Sequence, residues 1–461
     1  MIDRREFLRR LGGGLGAVAF DAALRDGARR THHAPRATRV VQLFMSGAAS
    51  QVDTFDHKPE LERRHGRPFD VGGKVELFQS SPGTWMRSPW PFRPRGECGK
   101  AVSDLLPCLA ERVDELAFIH SMTARSNVHG PATFLGTTGF VQPGFPASGA
   151  WIGHALGSAC EDLPAFVVLP DSRGFAPGGP SNWSSGFLPA THQGTVIRPE
   201  REAPIHDLFP PRDVAWLDDD AERDGRALLR TLNERHAATR PGDDRLDARI
   251  RAYELAARLQ LAAPDVLDLR GESAATRTLY GLDDELTREF GTRCLIARRL
   301  LERGVRFVQV WSGADNGFPR RNWDSHEDLP RDHAAMAAAM DRPAAALLVD
   351  LRRRGLLDET IVHWTTEFGR MPCAQGGLGR DHNPFAFTCW LAGGGIRGGT
   401  SFGASDEFSF RVAERPTEVH DVHATMLWLL GIDHERLTVR HDGIDRRLTD
   451  VKGRVLHEIL A

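Results

Sequence analysis

The chain has no excess of charge of either sign: 59 Lys and Arg stand against 62 Asp and Glu over 461 residues. Such a balance argues against a nucleic-acid partner or a charged membrane surface. None of its six cysteines forms a Cys-x-x-Cys pair, which removes a zinc knuckle, a thioredoxin-like motif and a haem-attachment site from consideration. Pairing of Cys98 with Cys108 stays open, while Cys294 and Cys389 sit in apolar stretches and are expected to pack. No stretch approaches the roughly 18 apolar residues of a transmembrane helix. There is no Gly-rich phosphate loop between a strand and a helix; Gly393, Gly394 and Gly395 follow a strand but read as a tight turn. Internal repeats and low-complexity tracts are absent too. Tyrosine is scarce, two residues against 19 histidines, and that surplus of imidazole directs attention to metal chemistry.

What is present is 41% hydrophobic residue with 46 glycines and 28 prolines, enough for a large core with many loops. Residues 1–30 open with Arg4-Arg5, then Phe7-Leu8 and a Gly/Ala/Leu/Val stretch. This reads as a twin-arginine-type signal, which implies export to the periplasm or beyond, with membrane contact only through an uncleaved signal. Residues 31–461 read as one α/β domain. Short apolar, β-branched runs at 39–45, 115–122, 166–171, 305–311, 360–369 and 385–395 predict strands. Helices are expected at 103–113 with Ser103 as cap, 129–139, 332–354 and 418–431 with Thr417 as cap, and in a charged insertion around 200–300 with patterns at 221–238, 243–260 and 283–303. Continuous apolar strands alternating with helices predict a mostly parallel central sheet covered on both faces. In such sheets the site lies at the carboxyl ends of the strands.

Those ends carry carboxylates and imidazoles. Asp53 and Asp56 follow the first strand, His129 opens the helix after the second, Asp324 and His326 follow the run ending at Trp311, Glu367 follows 360–366, and Asp381-His382 precede the last strand. Divalent cations take neutral imidazole nitrogens and carboxylate oxygens delivered from separate elements. An ion so held can clamp a phosphate or sulfate ester, and Arg370 or Arg380 could offset charge on the ester oxygens.

The strings TEFGR, GRDHNPFAFTCWLAGGGIRGG, NWDSHED and SNWSSGFLPATHQGT, with the closing EVHDVHATMLWLLGIDHERL, resemble the exported domain of unknown function 1501 family across essentially the whole chain. That family is similar to alkaline phosphatases and sulfatases. The resemblance implies an alkaline phosphatase-like α/β fold, divalent metal (zinc, calcium or manganese, in unknown number) and an anionic ester substrate. It assigns Asp324, His326 and His382 to one ion, and Glu367 with Asp53 or Asp56 to another. The superfamily's nucleophile lies nine residues before a Thr-Gly pair, and counting back from Thr138-Gly139 reaches His129, where a ligand, a base or a nucleophile are all open. With Arg370, His129 is the catalytic candidate. Cys108-Leu-Ala-Glu-Arg112 loosely fits a sulfatase signature but lies on an apolar helix face without the Thr-Gly pair. His420 and His423 read as structural. Two functions follow: a metal-dependent ester hydrolase, or a non-catalytic binding or assembly protein on the same scaffold.

Overall fold

The computed structural model describes residues 31–73, 75, 81–160, 162–205, 219–240, 246, 250, 254, 263–315, 317 and 320–461. The signal reading of residues 1–30 and most of the 243–260 helical pattern lie outside the described residues. Among the described residues nine strands form one sheet: β1 (Arg39–Met45), β2 (Leu116–Thr123), β3 (Phe166–Leu169), β4 (Thr195–Val196), β5 (Phe307–Ser312), β6 (Thr360–Thr365), β7 (Phe387–Ala392), β8 (Thr400–Phe402) and β9 (Thr417–Glu418). Their order is β8-β2-β7-β6-β1-β5-β3-β4, with β9 beside β2. Only β7 runs against its neighbours; every other pairing in this sheet is parallel.

Burial follows the pleat. Val41, Leu43 and Met45 of β1 enter one apolar cluster, while Val40 and Phe44 enter the cluster on the opposite face. A strand buried on both sides carries apolar residues on both faces, which is why RVVQLFM shows little alternation; its one buried polar residue, Gln42, meets Gln309 at 2.7 Å and His363 at 3.3 Å. The helices used below are α1 (Gln51–Thr54), α2 (His129–Thr138), α3 (Ser148–Leu156), α4 (Asp219–Ala238), α5 (Glu285–Glu302), α6 (Leu329–Arg353) and α7 (Val419–Leu429). α5 and α6 pack on the first face, α3 and α7 on the second. The expected mostly parallel, two-sided sheet is what the chain forms.

Two expected helix caps fall elsewhere. Ser103 ends a short strand, Lys100–Ser103, and the helix begins instead at Pro107. Proline suits the first helical position because the N–H it lacks would go unused there. The amides of Cys108 and Leu109 donate to the Asp341 carboxylate of α6 at 2.7 and 2.8 Å, a cap 233 and 232 residues away that no local pattern could show. At α7, Thr417 lies in β9; Glu418 and Asp421 form a reciprocal capping box. His420 meets the Gly139 carbonyl at 2.8 Å, a contact that ties α7 to the left-handed end of α2.

Three buried histidines stay neutral. Burial pushes His333, His363 and His423 each down to about 3. His333 shows how: its Nε2 accepts the Ser50 amide at 3.0 Å, and its Nδ1 contacts Ser325 Oγ at 2.7 Å. The unfolded chain takes up these protons near pH 6.5, the folded chain only near pH 3, so the unfolded state binds more protons in between. Stability is therefore full above pH 6.5 and falls as pH drops toward 3, by up to about 1.4 kcal/mol per pH unit for each histidine. Urea midpoints should decline steeply from pH 7 to pH 5, and His423→Leu should flatten the slope by roughly one proton's worth. A midpoint independent of pH over that window would contradict buried neutral imidazoles.

Candidate metal centre

The register brings β1, β5 and β6 to a common edge: Met45 stands beside Ser312, and Phe44 beside Thr365. The segments that follow them meet there. Trp323 donates its amide to the Ser46 carbonyl at 2.9 Å, which lays the loop carrying Asp324 over the end of β1. Gly47 permits this crossing. Its φ is +102°, and a β-carbon there would lie 2.6 Å from Trp323 N and 2.7 Å from Asp324 N. Both are backbone atoms with nowhere to go. Gly47→Ala is expected to lower the unfolding temperature and to weaken metal retention together, because strain and clash both displace Asp324. Thermal melts and elemental analysis of the variant check this; an unchanged melt with unchanged metal would refute it.

Four side chains converge on one point. His129, Asp324, His326 and His382 are all buried, and their ligand atoms lie within 4.8 Å of one another. Asp324 Oδ1 is the centre. It lies 3.2 Å from His129 Nε2, 2.9 Å from His326 Nε2 and 3.2 Å from His382 Nε2, and the last two nitrogens are 2.9 Å apart. Each ring is held from behind through Nδ1: His129 by Glu367 Oε1 at 2.7 Å, His326 by Gln375 Oε1 at 2.6 Å, His382 by the Asn127 carbonyl at 2.6 Å. A carbonyl only accepts, so His382 Nδ1 carries the proton, and the neutral ring turns its Nε2 lone pair toward the carboxylate. Burial keeps that ring neutral by pushing it down to about 3. Lone pairs facing a carboxylate oxygen repel unless a cation lies among them. Ring nitrogens anchored by outer acceptors, with the far nitrogens aimed inward, is the arrangement metal-binding histidines adopt. The residues present fit a divalent ion.

Charge around the group is managed locally. Burial opposes ionisation of Asp324, but the Arg370 guanidinium beside it outweighs burial and holds the carboxyl far below its usual range. Burial likewise opposes charge on His129, yet Asp324 and Glu367 pull it up to about 8. Phe368 lies against His129 and His382, with ring centroids at 5.0 and 4.7 Å, and walls them with an apolar surface.

Not every expected residue joins the group. Asp53 lies in a fully buried pair with Arg380, whose Nε and Nη2 donate to its two oxygens at 2.8 and 3.1 Å. Asp56 accepts from Ser405 and Ser409 and pairs with Lys58, so neither first-strand aspartate reaches the cluster. Glu367 stands one bond behind it, accepting from His129, from the Gly47 amide at 2.7 Å and from Thr366. Arg370 is fully buried and bonded on all sides by the protein. Its Nε donates to the Ala48 carbonyl, Nη1 to that of Arg380, and Nη2 to the Gly47 carbonyl and to Asp324 Oδ1 at 2.5 Å. The guanidinium braces the Asp324 loop rather than facing a substrate. Cys108 is remote from this chemistry: burial raises its thiol to about 12, so it stays protonated and unreactive.

Sequence reasoning missed Gln375, Asn127 and Arg320. Arg320 reaches Asp324 Oδ2 at 3.2 Å and Glu327 at 2.7 Å. The spacing of four residues from Asp324 is the only trace it leaves in the sequence. Gln375 and Asn127 act through loops whose approach leaves none.

Fold and centre together define an α/β protein with a candidate metal site at the carboxyl edge of a mostly parallel sheet. The chain belongs to the family described as "Protein of unknown function (DUF1501)", whose model matches residues 37–460. A search of curated proteins finds no match. Similar solved structures include the PsFucS1 sulfatase from Pseudoalteromonas sp., at TM-score 0.37 and 13% identity over 96% of this chain and 75% of that one. They also include a protein in the alkaline phosphatase superfamily from Vibrio parahaemolyticus, at 0.37 and 12% over 88% and 69%. A third is the phosphonate monoester hydrolase of Silicibacter pomeroyi, at 0.35 and 12% over 77% and 71%. Likeness this loose does not reach function.

Proposed function

We propose that this chain is an exported, metal-dependent hydrolase of phosphate or sulfate esters. The observation that carries the reading is the set of three imidazole nitrogens, each fixed from behind, converging on one carboxylate oxygen. His129, His326, His382 and Asp324 would hold the ion. Three nitrogens and one oxygen suit zinc or another transition metal; calcium takes six to eight oxygens. A divalent ion there supplies Lewis acidity to an ester oxygen. The chain's own part is to fix the donors and exclude water through Phe368. His129 is read as a ligand, since its two nitrogens face Glu367 and Asp324. A single ion is proposed, because the Arg370 guanidinium already supplies the neighbouring positive charge. Export rests on the Arg4-Arg5 segment, and residues 31–461 are taken as one domain.

Elemental analysis of protein purified without chelators or affinity metals should give about one transition-metal equivalent per chain. A screen of phosphate and sulfate esters should then find turnover that His382→Ala abolishes while the fold persists. A folded chain that neither holds nor takes up metal would overturn the proposal. One observation favours a second reading, a binding or assembly protein: the start of α2 offers His129, held on both sides, where a hydroxyl or thiol nucleophile would stand. Hydrolysis of any ester above a metal-free control excludes it.

A further inference from the structure

Beside the metal centre lies a cleft of about 700 Å³, between α5, α6 and the ends of β3 and β5. A volume of that order suits a small organic ligand. Phe290 and Met336 give it an apolar floor, and Ser312 ends β5 there. Its charges are in most cases spoken for. Arg173 is locked onto Asp171 at 2.8 Å, Arg331 onto Asp332 at 2.7 Å, and Arg320 onto Glu327 and Asp324. Asp284 caps α5 by accepting the Leu286 amide, and Glu289 accepts from Ser172. Glu285 and Glu289 are exposed at the rim, where water and salt screen them.

Arg293 is the exception. It rises from α5 into the cleft with 4% of its surface exposed. Its Nε is buried without a hydrogen-bond partner. The nearest carboxylate oxygen, on Asp171, is 3.9 Å away and already accepts from Arg173 and from the Gly313 amide. The other partner of Arg293 is the Phe290 ring, 5.5 Å from Cζ, and a buried guanidinium with only these weak contacts is costly. An oxyanion in the cleft would complete it, and a buried cation governs such a site more than screened carboxylates at the rim do.

We propose that this cleft binds a carboxylate, phosphate or sulfate group of an organic ligand, with Arg293 as its principal counter-charge. Arg320 lines the cleft and touches Asp324, so the two sites share a wall. The anionic group thus has two possible sources: the far end of the ester cleaved at the metal, or a separate anion. The first source rests on the hydrolase reading; binding itself does not.

Calorimetry with inorganic phosphate on the full chain tests the binding, with and without a chelator that empties the metal centre. One phosphate site should persist in chelator and weaken at least about tenfold in Arg293→Gln, roughly the effect of losing one charge-assisted contact. Ala335→Phe, at an exposed lining position, should block the site while leaving Arg293 in place, so it decides the matter if Arg293→Gln does not fold. No phosphate binding in chelator, or binding unchanged in both folded variants, overturns the proposal. With a cleaved ester in hand, a rise in KM for a doubly charged ester but not a singly charged one, in Arg293→Gln, assigns the group to the substrate. Unchanged KM for both, with phosphate binding lost, assigns it to a separate anion.

Discussion

On the proposed metal reading, replacing Asp324 with alanine is expected to abolish metal binding and to cost several kcal/mol of stability at once. Asp324 Oδ1 is the shared point of three imidazoles and takes the Arg370 guanidinium at 2.5 Å, while Oδ2 takes Arg320. Removing it deletes a donor and leaves Arg370 buried among carbonyls with no counter-charge. Loss of one partner from a buried ion pair costs about 3–5 kcal/mol. Loss of an outer partner to a ligand weakens metal binding by roughly 10–100-fold, so loss of the central donor should exceed that. Asp324→Asn separates the effects, because it keeps shape and one oxygen while removing charge. Glu367→Gln is the contrasting change: it weakens the support behind His129 and should cost affinity within the smaller range. Metal content by elemental analysis and urea unfolding read both quantities. Full metal occupancy in a folded Asp324→Ala protein would place the ion elsewhere.

The parts of the molecule that were legible in advance are those governed by local rules. β1 needed little context: a short, β-branched and mostly apolar run ended by Ser-Gly reads as a buried strand. Gly139 marks the end of α2 because its φ of +81° is one that side chains resist. Asp324, His326 and His382 could be picked out because strand ends are where such sheets gather polar groups. Roles within the site were much less legible. Arg370 lies three residues after Glu367 and looks available to a substrate, yet three segments, at Gly47-Ala48, Trp323 and Arg380, surround it with carbonyls. Which of two charged neighbours faces solvent depends on how loops cross, and loop crossings are set by contacts hundreds of residues apart. Gly47 is the clearest case. Its sequence neighbours say only that a turn follows β1; that Asp324 passes over it is visible only in three dimensions.

Asp53 makes the same point and yields the second large effect. Its place after the first strand suits a metal ligand, but both its oxygens are engaged by Arg380, and both side chains are fully buried. Ser50 Oγ also donates to Asp53, so the carboxylate ties the turn before α1 to the segment leading to His382. Arg380 spends its remaining hydrogens on the carbonyls of Met371, Met86 and Arg87. Asp53→Ala would leave that guanidinium desolvated and charged, and should destabilise the chain by about 3–5 kcal/mol. Arg380→Met, which strands Asp53 instead, should do comparable harm. The double variant should recover part of the loss, because two apolar groups bury more cheaply than one unpaired charge. Metal content is what separates this role from ligation. If Asp53 held the ion, Asp53→Ala would lose metal and the double variant would not regain it. If the pair is structural, every variant that folds at low temperature retains metal near the wild-type level, and only the unfolding midpoint moves. Urea melts paired with elemental analysis across the three variants decide between the two.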